Sequence, residues 1–152
     1  MSKTVDEMIE LNKVYSCIDC GKCVSSCPVA KEGEYFSPRV IIEKALLGFS
    51  FLEERDLWLC FTCNSCTERC PSNVRFAEFV EAVRLIAIEK GITQYCLYCK
   101  RCGKYFMTTP ILEHHKEITE ETKLDEESLM FCDRCKRHNA AGKSLLMKAR
   151  GI

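Results

Sequence analysis

Residues 17–28 read CIDCGKCVSSCP and residues 60–71 read CFTCNSCTERCP, so every cysteine and the proline of the first stretch recur 43 positions later. Both stretches have the spacing C-x2-C-x2-C-x3-C-P, which is typical of bacterial iron–sulfur runs. Three thiolates on one tight loop can reach three irons of a cubane cluster, and in two-cluster proteins the fourth cysteine ligates the other cluster. The repeat therefore predicts two [4Fe–4S] clusters that exchange their fourth ligands.

The exchange predicts two ligand sets and implies that neither half folds alone. C-x2-C is also a zinc knuckle. Zinc, however, closes with four ligands, usually two from each of two knuckles, and two runs of four thiols followed by proline fit that pattern poorly. The predicted ligands are Cys17, Cys20, Cys23 and Cys70 for the first cluster, and Cys60, Cys63, Cys66 and Cys27 for the second.

The composition indicates a globular protein whose thiols bind metal. Of the 152 residues, 47% are hydrophobic, 29% are charged and 13 are cysteines, and the formal net charge is zero. An odd number of cysteines excludes complete pairing in intrachain disulfides. The N-terminal sequence MSKTVDEMIE has no apolar core typical of a signal peptide, and no apolar run approaches the roughly 20 residues of a membrane helix. We therefore expect a cytoplasmic protein, with reduced thiols and no membrane insertion.

The segments around the two cysteine runs predict helices, so we expect a mainly α fold. Capping signals mark four helix starts and glycines mark two ends. The predicted starts are Thr4 with Glu7, Ser37 with Pro38, Ser50 with Glu53 (a short helix through Trp58), and Asn73; the predicted stops are Gly48 and Gly91. The residues expected in the core include six aromatic side chains, Phe49, Phe51, Trp58, Phe61, Phe76 and Phe79.

The stretch from 1 to 91 resembles the helical two-cluster ferredoxin domain found in the C subunits of heterodisulfide reductases. The resemblance rests on SCIDCGKCVSSCPVA (residues 16–30), on CFTCNSCTERCPSNVRFAEFVEAVR (residues 60–84), and on the 32 residues between Cys27 and Cys60, which have a helical pattern. The iron–sulfur subunits of succinate dehydrogenase and fumarate reductase contain the same type of domain. No plant-type [2Fe–2S] domain precedes the repeat and no catalytic cysteine-rich domain follows it in this sequence, which favours the C-type subunit.

The resemblance implies an electron-transfer subunit without an active site of its own. In the family, the C subunit relays electrons between an A subunit and a B subunit. The A subunit contains flavin, and the B subunit is catalytic and reduces a mixed disulfide. Two partner subunits are therefore expected, one A-like with flavin and iron–sulfur clusters and one B-like and catalytic, in an anaerobic metabolism such as methanogenesis. The alternative is an iron–sulfur subunit of another flavin-dependent or respiratory dehydrogenase.

Five further cysteines predict a second domain, so we divide the chain into residues 1–93 and 94–152. CKRCGKYF, from Cys99 to Phe106, resembles a zinc-ribbon knuckle, and CDRC, from Cys132 to Cys135, would be the second knuckle. The predicted zinc ligands are Cys99, Cys102, Cys132 and Cys135. Cys96 is an alternative ligand, because it extends the first knuckle to C-x2-C-x2-C. A third iron–sulfur centre and the absence of any metal are the alternatives to zinc.

The rest of this domain gives weaker signals. A short strand is expected at Tyr105 and Phe106, an acidic solvated run from Glu113 to Glu127, and a helix over 140–147. The three histidines, His114, His115 and His138, are expected to be surface residues rather than ligands. Basic residues surround the knuckles: Lys100, Arg101, Lys104, Arg134, Lys136 and Arg137. They would allow a redox-sensing nucleic-acid-binding protein, but charge compensation of the thiolates or subunit docking is favoured, and no nucleic acid is expected.

Overall fold

The computed structural model describes residues 4–31, 36–113 and 129–138. The chain divides into two compact units, Met1–Tyr95 and Cys96–Ile152. The predicted helix over 140–147, the acidic run after Glu113, and both His114 and His115 lie outside the described residues.

The first unit is built from short helices around one longer helix. They are α1 (Val5–Leu11), a 3-10 turn (Val14–Ser16), α2 (Lys22–Ser26), α3 (Pro28–Lys31), α4 (Pro38–Leu46), α5 (Arg55–Leu59), α6 (Ser65–Glu68) and α7 (Phe76–Glu89). Over its described residues this unit has no strand, and the predicted mainly α fold is confirmed. Helix α2 contacts α6, which brings the two cysteine runs side by side.

The two cysteine runs have the same backbone conformation. Cys17 directly follows the 3-10 turn and Cys60 directly follows α5, with φ/ψ of −63°/123° and −62°/125°. Two residues of each loop then have positive φ, before α2 or α6 begins: Asp19 (56°) and Gly21 (71°) in the first loop, Thr62 (49°) and Asn64 (64°) in the second. Left-handed conformation costs a non-glycine residue free energy, so its recurrence at matched positions marks a constraint shared by both loops.

In each half, a longer helix that comes after the cysteine run packs back onto it. Helix α4 contacts the 3-10 turn and α2, and α7 contacts α5 and α6 in the corresponding way. Helix α1 contacts both α4 and α7 and so joins the two halves. Helix α7 supplies much of the core, because its apolar stripe is buried at Phe76, Phe79, Val80, Val83, Ile86 and Ala87. Burying each of its larger side chains contributes about 1.5–3 kcal/mol.

Most of the predicted helix ends are confirmed. The Glu7 N–H donates to Thr4 Oγ1 at 3.2 Å and the Thr4 N–H donates to Glu7 Oε2 at 3.1 Å, which completes the capping box of α1. Ser37 is the N-cap of α4, with Pro38 at the first helical position. Gly48 ends α4 with φ of 71°, and the Phe49 N–H donates to the Lys44 carbonyl at 3.0 Å, as in a Schellman motif.

The predicted start of α5 and the predicted burial of Phe49 are wrong. Helix α5 begins at Arg55 with Glu54 as N-cap, because the Glu54 N–H donates to the Phe51 carbonyl in a turn that occupies the predicted first helical turn. Phe51 is buried, whereas Phe49 is 61% exposed. Phe49 lies immediately after the glycine that ends α4.

The predicted cap of α7 is also wrong. Asn73 has a left-handed φ of 56° and its N–H donates to the Cys70 carbonyl, so it belongs to the turn that follows the cysteine run. Helix α7 begins at Phe76, with Arg75 as N-cap. The Ala77 N–H at its start donates to Thr67 Oγ1 at 3.3 Å, so a side chain distant in sequence takes the capping role.

The second unit contains a β-hairpin. Strand β1 (Cys96–Tyr98) pairs antiparallel with β2 (Tyr105–Thr108), and the register shifts between Leu97 and Tyr98. The strand predicted at Tyr105 is confirmed. Strand β1 was not predicted, because it begins at Cys96 and so overlaps the cysteine motif. Residues 109–113 and 133–138 are helical.

Over the described part of the chain, no helix has the length and apolar character needed to span a membrane.

Candidate metal centres

Four cysteines from both halves of the repeat line one cavity, here called the first cavity. Cys17 and Cys20 lie on the loop before α2, Cys23 lies in α2, and Cys70 follows α6. Cys66 also borders this cavity, and Ile42, Val74 and Phe76 form part of its apolar wall. The structure thus brings Cys70 beside three cysteines that lie about 50 positions earlier.

The second cavity shows the reciprocal exchange. Cys60, Cys63 and Cys66 line it together with Cys27, which directly follows α2. The apolar wall consists of Val29, Phe36, Pro38, Phe61, Phe76 and Ala77. The two predicted ligand sets therefore each surround one cavity, and Cys66 borders both. None of the thirteen cysteines forms a disulfide.

Backbone N–H groups point at two of these sulfurs. The Thr62 N–H donates to Cys60 Sγ at 3.4 Å, and the Val74 N–H donates to Cys70 Sγ at 3.3 Å. Hydrogen bonds of this kind favour the thiolate form of cysteine. They also raise cluster potentials when the sulfur is a ligand.

The predicted ligands of the second cavity are the more buried of the two sets. Cys27, Cys60 and Cys66 are buried, whereas none of the four predicted ligands of the first cavity is. Burial raises the pKa of Cys60 to about 11, although the Arg84 guanidinium and the Thr62 N–H lower it. Burial, together with the Cys60 and Cys63 thiolates, raises the pKa of Cys66 to about 12. These thiols are protonated at neutral pH unless a metal displaces the proton, so the donor set suits a soft metal cluster and not a reactive nucleophile.

Arg84 of α7 is a polar residue beside this site that the cysteine motifs did not predict. Its side chain is 3% exposed, and its guanidinium donates to the carbonyls of Leu57 and Cys60. The sequence offered no signal for this role, because Arg84 falls on the helix between apolar residues and its partners lie 24 and 27 positions away.

The second unit contains a separate group of four cysteines, called here the lobe site. The sulfurs of Cys99, Cys102, Cys132 and Cys135 all lie within 4.8 Å of one another, and those of Cys102 and Cys132 are 3.8 Å apart. Tetrahedral coordination at a Zn–S distance of about 2.3 Å requires sulfurs about 3.8 Å apart, so this spacing suits a single tetrahedral ion.

The hairpin turn shapes the first knuckle of the lobe site. The Cys99 N–H donates to the Lys104 carbonyl and the Gly103 N–H donates to the Cys99 carbonyl, both at 2.9 Å. Gly103 has φ of 67°, which a glycine adopts without strain. The Cys132 N–H donates to Cys99 Sγ at 3.4 Å and so ties the second knuckle to the first.

Two thiols of the lobe site have opposite pKa shifts. Burial alone would raise the pKa of Cys99, but backbone hydrogen bonds from Cys132, Cys102 and Arg101 outweigh it and lower the pKa to about 6. Burial and the neighbouring cysteines raise the pKa of Cys135 to about 12.

Cys96 lies in β1, outside the group of four. His138 Nδ1 lies 3.2 Å from the Arg101 guanidinium.

Comparison with known proteins agrees with the cysteine geometry. A family model described as a 4Fe-4S dicluster domain matches residues 13–74, which include both runs. The chain is 41% identical over 83 residues to the C2 subunit of the H(2)/formate:CoB-CoM heterodisulfide,ferredoxin reductase of Methanococcus maripaludis, covering 54% of this chain and 45% of that relative. It is 37% identical over 98 residues to the second C-type iron-sulfur subunit of the CoB--CoM heterodisulfide reductase of Methanocaldococcus jannaschii, covering 57% and 52%.

A third relative aligns over more of its length. The C-type iron-sulfur subunit of the CoB--CoM heterodisulfide reductase of Methanopyrus kandleri is 32% identical over 136 residues, covering 83% of this chain and 69% of the relative. By contrast, the chain spans about half the length of the first two relatives. The relationship predicted from the two cysteine runs is confirmed.

The lobe site should bind zinc with an affinity that falls as the pH falls, because protons compete with zinc for thiolate sulfur. Cys99, with a pKa of about 6, is a thiolate at higher pH and releases no proton on binding. The plot of log affinity against pH should therefore steepen by about one unit per pH unit below roughly pH 6. Chelator competition on the full chain measures this plot. Cys96→Ser should leave it unchanged, and a plot of constant slope through pH 6 would contradict the prediction.

Proposed function

Because this chain belongs to the family of C-type iron–sulfur subunits of heterodisulfide reductases, we propose that it relays electrons between two partners, an A-like subunit that contains flavin and iron–sulfur clusters, and a B-like subunit that is catalytic. One observation supports the relay most directly. The two cysteine-lined cavities are neighbours, since Cys66 and Phe76 border both. Redox centres held there would lie close to each other, which favours electron transfer between them.

In this proposal the cysteines hold two [4Fe–4S] clusters, which supply one-electron transfer when bound. Cys17, Cys20, Cys23 and Cys70 ligate the first, and Cys60, Cys63, Cys66 and Cys27 ligate the second. Cys20 and Cys63 are exposed, so each cavity has one ligand at the surface, where a partner protein can approach. On the side of the second cavity away from the exposed Cys63, the buried apolar wall excludes water.

We assign no catalytic residue to this chain. All eight cavity cysteines are used as ligands, which leaves no iron open for a substrate. The disulfide chemistry then belongs to the B-like partner, and this chain supplies the electrons. We place the protein in the cytoplasm, where thiols stay reduced.

The lobe site is proposed to hold one structural Zn²⁺ on Cys99, Cys102, Cys132 and Cys135. The four sulfurs are close enough for a single tetrahedral ion, and they close its coordination shell as structural zinc sites do. Zinc would stabilise a lobe whose described part has only a short hairpin and helical residues. We accordingly treat residues 1–93 as the electron-transfer domain and residues 94–152 as a zinc-ribbon-like lobe.

Isolation of the complex tests the relay. The tagged full-length chain, purified anaerobically from its native host, should bring down a flavoprotein and a cysteine-rich catalytic protein. In that complex, Cys20→Ser should leave reduction of the flavin intact and slow reduction of the disulfide substrate at least about tenfold. Co-purification with a different dehydrogenase, or disulfide turnover by this chain alone, would refute the proposal.

Metal analysis tests the proposed cofactors. Anaerobically purified chain should contain about eight irons and one zinc, because two cubane clusters and one four-thiolate site account for twelve of the thirteen cysteines. Elemental analysis measures both metals in one sample. About four or twelve irons at full occupancy would reject the assignment, and iron in place of zinc at the lobe site would reject the zinc proposal alone.

Exchange of the fourth ligand predicts which cluster a single substitution damages. Cys70→Ser should disturb the cluster ligated by Cys17, Cys20 and Cys23, although Cys70 belongs to the second run. Cys27→Ser should disturb the other cluster, and Cys96→Ser should disturb neither. EPR spectra of the reduced variants, compared with Cys20→Ser and Cys63→Ser, identify the affected cluster. If Cys70→Ser matches Cys63→Ser instead, the ligands are not exchanged.

A further inference from the structure

Arg84 places a positive charge inside the first unit, next to the second cavity. Its Nε donates to the Leu57 carbonyl at 3.0 Å, and its Nη2 donates to the carbonyls of Leu57 and Cys60, both at 2.7 Å. The guanidinium carbon lies 5.9 Å from the ring centre of Trp58, which is itself fully buried. A charge so enclosed is poorly screened by solvent and salt.

These contacts fix the position of Cys60. Helix α5 has five residues, and its last carbonyls have no partner within the helix. Arg84 satisfies the Leu57 carbonyl and the carbonyl of the C-cap, Cys60 itself. The planar fork of arginine can bind both at once, which the single ammonium group of lysine does less well. Arg84 is therefore a positioning residue for the first cysteine of the second run.

The other half of the repeat has no charge at the matching position. Subtracting the 43-residue displacement from Arg84 gives Ile41 in α4, which is buried and aliphatic. Helix α4 contacts the 3-10 turn and α2, just as α7 contacts α5 and α6. Among the described residues, Lys22 and Asp19 are the charged groups that border the first cavity. Lys22 is exposed, and Asp19 forms an ion pair with Arg39 that is about half exposed. Exposed pairs contribute little because solvent screens them.

We propose that Arg84 raises the reduction potential of the second cluster above the value that its buried cavity alone would give. This inference rests on the proposed ligation of the second cluster by Cys60. One-electron reduction adds a negative charge, and burial disfavours that charge, whereas a nearby buried cation favours it. Arg84, which has the uncharged Ile41 as its counterpart in the other half, thus offsets part of the effect of burial on the second cluster.

Anaerobic redox titration of the full chain, monitored by EPR with dithionite as reductant, tests this. Arg84→Gln keeps an amide donor and removes the charge, so it should lower the ratio of reduced to oxidised second cluster about tenfold at a given potential, a shift of about 59 mV. Arg84→Lys keeps the charge and should retain most of the wild-type potential. Arg39→Gln, the matched control, should leave the second cluster unchanged. Cys20→Ser identifies the signal of the first cluster.

The outcomes separate a failed inference from a failed ligand assignment. Wild-type chain with fewer than about eight irons would refute the proposed clusters themselves. With a full complement of iron, an unchanged potential in Arg84→Gln, or equal shifts in the Gln and Lys variants, would overturn the role of the charge. If Arg84→Gln loses the second cluster while Arg84→Lys keeps it near the wild-type potential, the charge requirement is supported. If both variants lose it, Arg84 is a structural clamp only and the inference is overturned.

Discussion

Each cysteine run has its fourth cysteine beside the first three of the other run, and the helices of the first unit are arranged to allow this. Helices α2 and α6 must lie in contact, because Cys27 follows one and Cys70 follows the other. Helices α4 and α7 pack on α2 and α6 respectively, and α1 contacts both α4 and α7. The two cavities that result are neighbours, and Cys66 borders both.

The two halves have the same backbone but different surroundings. Matched residues have left-handed conformation in both loops, and the first cysteine of each run follows a short helix with nearly equal angles. Burial, however, is concentrated around the second run, where Cys60 and Cys66 have raised pKa values. A repeated motif thus creates two sites that differ in burial.

The second unit has less of a buried core than the first. The first unit has a buried apolar stripe along α7. The described part of the second unit has few buried residues: Cys99, Thr108, Pro110, Leu112 and Cys135. Four sulfurs drawn from two segments meet within bonding range of one ion. A metal site can replace part of a hydrophobic core in a small unit, so the cysteines of this lobe have a structural explanation that does not require redox chemistry.

Local chemistry allowed much of the first unit to be predicted. The spacing of the cysteines predicted the two ligand sets, and the stretches around them resemble the family to which the chain belongs. Local signals predicted some helix ends correctly, as at Thr4 with Glu7 and at Gly48. Two predicted helix starts failed because a local turn took the place of the first helical turn, at Ser50 with Glu53 and at Asn73. Asn73 adopts a left-handed conformation in the turn after Cys70, and the Thr67 side chain accepts a hydrogen bond at the start of α7 instead.

The sequence by itself determined the repeat, the helical class and the grouping of cysteines into runs, because these depend on spacing along the chain. Only the tertiary structure decided which surroundings each run receives. Arg84 and Ile41 occupy matching positions, yet one donates to the carbonyls of Cys60 and Leu57 and the other is an uncharged core residue. Hydrogen bonds and burial between residues 24 to 27 positions apart arise only when helices pack. The sequence sets which of the two residues is charged, but only the fold buries that charge and directs it at the carbonyl of Cys60.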